Sequence, residues 1–384
     1  MESLKVENLT KSIKGYVSSN EKKVKDGGKN FSSVEHYGRM LLLNFFQKNG
    51  FFCKPNSVYN INEIKNHLNL NEKFNNLFDV LLIILEKSTF IKVDGNTVKT
   101  NDNVGNNNII DNLESFRDDL INKFSDMKCH FNLLDICLSN YGSILSGEKS
   151  PDSIMFPVYS THLVEGIFRG NMLSDYFNDL IADISLEYTK KAKENNPKSV
   201  VKILEIGAGT GGTSISVMEA IKEESDVNFY FTDISKVFVK GNERKLKEKY
   251  PFSIYKKLNI EEDIIEQGFT ENDFDIVIAT NVVHATKDIA YTLNKIKTLL
   301  KVGGILLLNE VTKVQDFTTL TFGLLGGWWH FSDLSMRLPN SPLLSIDTWK
   351  AVLKDSGYKT IELISTSDME ERDSFSQSLF LAQK

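Results

Sequence analysis

Up to about Asn195 the apolar positions recur at three- and four-residue intervals, and beyond Pro197 they gather into short β-branched and aromatic blocks. Tyr37, Met40, Leu41 and Phe45 predict a helix over 34–47. Further helices are predicted over 60–68 and 71–86. The run Thr89-Phe-Ile-Lys-Val-Asp-Gly-Asn-Thr-Val-Lys99 alternates on both sides of Asp94-Gly95-Asn96, which is a hairpin signature. An Asn/Gly-rich connector over 101–108 follows, then helical patterns over 110–125, 128–142 and 172–193. Residues 143–157 read as a loop with Pro151 and Pro157 as breakers. The polar, lysine-rich residues 1–30 read as a flexible leader.

After Pro197 strands are predicted over 200–206, 228–232, 252–258, 274–280 and 304–310, alternating with helices over 211–223, 236–249, 261–267 and 287–300. Such alternation implies an α/β fold with right-handed crossovers and a parallel sheet covered on both faces. A helix over 346–355 and strands over 359–365 and 378–382 close the chain, the last two placed to pair as an antiparallel edge. The expected domains are a leader (1–30), a mainly helical part with a winged-helix-like hairpin (31–195) and an α/β core (196–384). Three helices and a hairpin admit a DNA-binding reading, but the apolar load and the acidic chain favour a lid or dimerisation module.

Composition narrows the function classes. Hydrophobic residues at 41% and charged residues at 25% are ordinary for a globular protein. No apolar run approaches the roughly 18 residues that span a bilayer, and the start has no apolar signal region. No membrane association and a cytoplasmic location are therefore expected. Cys53, Cys129 and Cys137 are scattered, and no cluster has metal-ligand spacing, so neither a disulfide framework nor a metal site is expected. With 45 basic and 51 acidic residues the net charge is −6, which gives no support to nucleic-acid binding. The cluster Lys236, Lys240, Arg244, Lys245, Lys247 and Lys249 reads as a solvated helix face, with an acidic carrier protein as the alternative partner.

The strongest motif is Ile203-Leu-Glu-Ile-Gly-Ala-Gly-Thr-Gly-Gly212 at a strand-to-helix turn. Glycines serve there because a ligand approaching the backbone leaves no room for side chains, and the helix beyond offers unsatisfied N–H groups. Gly207, Gly209 and Gly212 alone also satisfy the dinucleotide pattern G-x-G-x-x-G. Glu205, Gly207, Gly209 and Gly211 together resemble motif I of class I S-adenosylmethionine-dependent methyltransferases. Asp233 with Ile234, the segment Leu258-Asn-Ile-Glu261, Asp275-Ile-Val-Ile-Ala-Thr-Asn-Val-Val-His284 and the Gly303-Gly304 turn agree with that resemblance. It implies a Rossmann-like, seven-stranded, mostly parallel sheet with an antiparallel edge. It also implies S-adenosylmethionine held by Glu205, Gly207, Gly209, Gly211, Asp233, Ile234, Asn259, Ile260 and Asn281.

A narrower resemblance runs from about 155 to 384. Tyr230-Phe-Thr-Asp-Ile-Ser235, Asn281-Val-Val-His-Ala-Thr286, Asn309-Glu310, Gly326-Gly-Trp-Trp329, Arg337-Leu-Pro-Asn-Ser-Pro-Leu-Leu344 and Gly166-Ile-Phe-Arg-Gly-Asn171 are together similar to polyketide synthase C-methyltransferase domains. The chain departs from that pattern with Asn259 in place of Asp and Met172 in place of Pro. The resemblance implies catalysis by His284 and Glu310 at the ends of neighbouring strands. It further implies an acyl pocket reached by Phe168, Tyr176, Trp328 and Trp329, and a phosphopantetheinylated acyl carrier protein and neighbouring synthase domains as partners. Histidine can take a proton from an activated carbon, with a carboxylate behind it to fix the tautomer. The expected reaction is methylation of the α-carbon of a β-ketoacyl chain. Methylation of a β-hydroxyl oxygen, or an inactive methyltransferase-like scaffold, are the alternatives.

Overall fold

The structure, a computed structural model, describes residues 6–105, 112–157, 162–364 and 376–384. Residues 1–5 of the expected leader, 106–108 of the connector, 110–111 of a predicted helix and Ser365 lie outside the described residues. The expected flexible leader is instead the first part of one 43-residue helix, α1 (Val6–Lys48). Its Leu9 and Val17 are buried, which an apolar spacing running through Val6, Leu9, Ile13 and Val17 could have signalled.

The helical part continues with β1 (Val58–Asn60), α2 (Ile61–His67), α3 (Asn75–Lys87), β2 (Ile91–Asp94) and β3 (Thr97–Thr100). β2 and β3 form the predicted hairpin and β1 adds a third antiparallel strand. Then come α4 (Leu113–Lys123), α5 (Lys128–Ser139), α6 (Tyr141–Leu145), α7 (Pro151–Met155), α8 (His162–Phe168) and α9 (Met172–Asn195). The loop expected over 143–157 thus holds most of one short helix and all of another. Pro151 begins α7 at a position where its missing N–H costs nothing.

The α/β part runs β4 (Val201–Ile206), α10 (Gly212–Ile221), β5 (Val227–Asp233), α11 (Lys236–Leu246), β6 (Ser253–Lys257), β7 (Phe274–Thr280), α12 (Ile289–Leu299) and β8 (Leu300–Val311). α13 (Asp316–Thr321), α14 (Ile346–Asp355), β9 (Ile361–Ile364) and β10 (Gln377–Gln383) complete it. The seven-stranded sheet has the order β6-β5-β4-β7-β8-β10-β9, parallel except for the edge, where β10 pairs antiparallel with both β8 and β9. The helix predicted over 261–267 is absent. Asn259 accepts from the Glu261 N–H, Asp263 accepts from the N–H groups of Ile265 and Glu266, and Gln267 clamps the Asn259 backbone. Side chains that satisfy local backbone groups in this way compete with the helix.

Three cores result. One face of the sheet packs on α9 and α10 together with Leu9 and Val17 of α1. The opposite face packs on α12 and α14 around Trp349. The third core belongs to the helical part, yet Phe317, Leu320 and Leu324 from the far side of the chain complete it. α13 is therefore a plug shared by both parts. Arg39 binds Asp316 at 2.6 Å and the Tyr141 hydroxyl donates to the Leu320 carbonyl at 2.6 Å.

Candidate active site

The carboxyl ends of β4, β7 and β8 face the helical part, and the sequence motifs converge there. β4 ends at Ile206 and the chain turns through Gly207 at φ 64°. A Cβ at that position would stand 2.3 Å from Val282 Cγ2, so only glycine fits the strand-to-helix turn. Glu205 sits beneath the turn, 2% exposed, and accepts a hydrogen bond from the Ser214 hydroxyl on α10. Burial pushes its carboxyl up to about 8 from an ordinary 4.5. Asp233 ends β5 and holds the turn from the side. One oxygen accepts from the Gly209 N–H at 2.9 Å and the other from the Ser235 N–H at 2.7 Å. Burial raises its carboxyl, and those two N–H groups oppose the shift.

The predicted pair comes together. The parallel register of β7 and β8 pairs Thr280 with Asn309, so the residues just beyond emerge side by side. Glu310 is fully buried. Its Oε1 accepts from the backbone N–H groups of Val282, Val283 and His284 at 3.2, 2.8 and 3.4 Å. Its Oε2 meets His284 Nδ1 at 2.6 Å. Asn281 turns the chain at φ 51°, a conformation Asn tolerates, and its side-chain oxygen accepts from the Val311 N–H. Trp328 stands edge-on to the imidazole at 5.9 Å. Arg337 was quoted in the sequence pattern without a role, and the structure supplies one. Its buried guanidinium donates to the carbonyls of His284, Thr286 and Pro342 at 2.6, 2.9 and 2.6 Å and pairs with Asp333 at 2.6 Å. The turn carrying His284 is thus held from both ends.

A cavity of about 560 Å³ lies over this edge. Of the predicted site residues it is lined by Glu205, Gly207, Gly209, Asn281, His284, Phe168 and Trp328. Gly211 caps α10 behind the wall. Asp233, Ile234, Asn259 and Ile260 stand along the same sheet edge but outside the cavity. Ile234 is 58% exposed, Ile260 is packed into the core, and the Asn259 side chain is taken by its own turn. Two expected pocket residues do not line the cavity. Tyr176 is buried edge-on against Phe177, and the Trp329 indole donates to the Gly323 carbonyl at 2.8 Å. The helical part adds lining residues that sequence reasoning did not assign, among them Phe31, Glu35 and His130.

The cavity floor suits a polar ligand. The Thr210 hydroxyl lines it and is buried without a hydrogen-bond partner among the described residues, and a Cβ on Gly209, at φ 54°, would come no closer than 3.8 Å to the Gly207 carbonyl oxygen. Comparison with known proteins decides the assignment. A family profile described as a methyltransferase domain matches residues 204–306. The crystal structure of the DszA carbon methyltransferase is 32% identical, covers 100% of this chain and 97% of its own, and superposes with a TM-score of 0.90. The chain belongs to the polyketide synthase carbon methyltransferase family. The CurJ carbon methyltransferase is 26% identical with a TM-score of 0.86, over 98% of each chain. Polyketide synthase PksR of Bacillus subtilis is 41% identical over 243 residues, which is 63% of this chain and 10% of that protein. The chain spans 6% to 11% of the length of the first three curated relatives. As a carbon methyltransferase it uses S-adenosylmethionine as methyl donor. Among the described residues no helix is long and apolar enough to cross a membrane.

Proposed function

We propose that this carbon methyltransferase alkylates the α-carbon of a β-ketoacyl chain carried on the phosphopantetheine arm of an acyl carrier protein, with His284 as general base. The observation that carries this reading is the wiring of Glu310. Three backbone N–H groups satisfy one carboxylate oxygen, and the other faces His284 Nδ1 at 2.6 Å in the cavity wall. A carboxylate so placed takes the Nδ1 proton as a hydrogen bond and leaves Nε2 as the basic nitrogen. The α-carbon between two carbonyls is acidic enough for one histidine to form its enolate. Glu310 then stabilises the imidazolium. S-adenosylmethionine, when bound, supplies an electrophilic methyl group.

The glycine turn, Thr210, Asn281 and the side chains of Glu205 and Asp233 would hold that donor, with Ile234, Asn259 and Ile260 toward its adenine end. The helical part would act as the lid over the acyl chain. Neighbouring synthase domains would deliver the carrier protein. The basic cluster on α11 and just beyond its end is a poorer landing site than its sequence suggests. Lys249 pairs with Glu219, and Lys247 donates to backbone carbonyls.

The test is incubation with S-adenosylmethionine and a β-ketoacyl carrier protein, with the product mapped by mass spectrometry. In deuterated water the α-protons should exchange at least about 10²-fold faster with wild type than with His284→Ala. A methyl ether product, or equal exchange in the two proteins, would overturn the reading.

A further inference from the structure

The wall opposite the dyad carries a polar group that the proposed chemistry does not use. His130, on α5, lines the cavity and is only 5% exposed. Phe31 of α1 meets its ring edge-on at 5.8 Å and Phe317 of α13 tilts against it at 5.0 Å. Its Nδ1 is sealed in the packing without a hydrogen-bond partner among the described residues. Burial alone lowers its proton affinity, to about 4, with no hydrogen bond or charge contributing. The ring is therefore neutral through the physiological range.

The polar side chains beside it are spent on the protein itself. Glu35 accepts from the Asp316 N–H at 2.7 Å and faces Arg39. Asn171 and Ser174 donate to the carbonyls of Gly166 and Ile167. Ser32 donates to the Lys29 carbonyl. Phe31, Phe156, Phe317 and Phe322 supply much of the apolar wall, while Lys313, Gln315, Thr318 and Gln377 also line the cavity. A plain alkyl chain needs nothing but such a wall, and Leu or Phe in place of His130 would serve it. A buried polar nitrogen left without a hydrogen bond costs about 1–3 kcal/mol, and a ligand in the cavity can recover that cost only at the nitrogen that is not sealed. With Nδ1 sealed, the nitrogen left for that ligand is Nε2. A neutral imidazole matches a neutral oxygen; it carries no charge to offset the desolvation of a carboxylate or an ammonium.

We propose that His130 is a recognition point for an oxygen on the acyl chain beyond the β-carbonyl, a hydroxyl or a ketone, so that this enzyme selects oxygenated β-ketoacyl chains over alkyl ones. This rests on the proposed β-ketoacyl reaction and names the substrate class within it. The test compares carrier-bound 3-oxooctanoyl with its 5-hydroxy and 7-hydroxy counterparts. In wild type, kcat/KM for one hydroxylated chain should exceed that for 3-oxooctanoyl by about tenfold, the size of one hydrogen bond to a buried group. His130→Leu should bring that ratio near one, and His130→Gln, which keeps an amide donor and acceptor, should retain part of it. A ratio near one in wild type, which needs no variant to fold, overturns the proposal. So does a preference that survives in His130→Leu. If none of the three chains is methylated, the β-ketoacyl reading itself falls and takes this one with it.

Discussion

Glu310 spends one oxygen on three N–H donors and the other on His284, and this division predicts how its amide analogue behaves. In Glu310→Gln the amide oxygen must stay with the backbone donors, which turns the NH2 toward Nδ1. The imidazole then keeps its proton on Nε2, the nitrogen proposed as the base. Turnover should fall by about 10²–10⁴-fold, close to the loss in His284→Ala, with donor affinity by calorimetry unchanged. Retention of more than a tenth of wild-type turnover would show that Glu310 does not set the tautomer. Glu205 makes a different prediction, about stability. Its folded-state pKa, about 8, lies above its ordinary 4.5, so its contribution to stability is complete below pH 4.5 and drains as pH rises through 8. Glu205→Gln has no proton to lose. Between pH 5 and 8 the melting temperature of the variant should rise relative to wild type, by the equivalent of up to about 4 kcal/mol. Thermal melts at pH 5, 6.5 and 8 that run parallel would contradict the assignment.

Among the elements, the seam between α8 and α10 tolerates the least change. A Cβ on Gly212 would stand 2.5 Å from the Phe168 carbonyl oxygen, and that carbonyl is already held by the Asn178 amide, itself tied to Thr213. Because the obstacle is backbone, Gly212→Ala should destabilise the fold by about 1–3 kcal/mol. It should also weaken S-adenosylmethionine binding several-fold, readable by denaturation and calorimetry. An unchanged denaturation midpoint would mean the seam is looser than drawn. The sheet and its edge chemistry were legible in the sequence because strand ends alternate with helices, which places Glu205, Asn281, His284 and Glu310 along one edge. The Asp94-Gly95 hairpin was legible from its turn residues. Three segments were not. The stretch 261–267 has a helical apolar pattern, but Asn259, Asp263 and Gln267 satisfy the backbone locally. Pro151 looked like a breaker and is a helix start. The first part of α1 keeps helical spacing through Val6, Leu9, Ile13 and Val17, but its polar composition reads as a leader, and only its packing on α9 shows that Leu9 and Val17 are buried. His130 was illegible for a related reason. Its setting exists only once α1 and α13 close on α5, and spacing within α5 carries no trace of that.

At the scale of the molecule, α1 belongs to two cores. Leu9 and Val17 lie among the side chains under the sheet, and the stretch from Val34 to Phe46 builds the core of the helical part. Gly27, between them, is where α1 crosses α9, and a Cβ there would meet Leu173 at 3.1 Å. α13 ties the same two bodies from the other end of the chain. Heat therefore has no weak partition along which to separate the helical part from the α/β part. Scanning calorimetry should show one endotherm, with calorimetric and van 't Hoff enthalpies in agreement, although proteins of this size commonly melt in stages. Two resolved peaks would contradict this. Loss of activity and loss of fold would then share one midpoint. Warming would yield no half-melted species with an intact donor site and an opened cavity, and so no temperature window in which the bound donor drains into hydrolysis instead of methyl transfer.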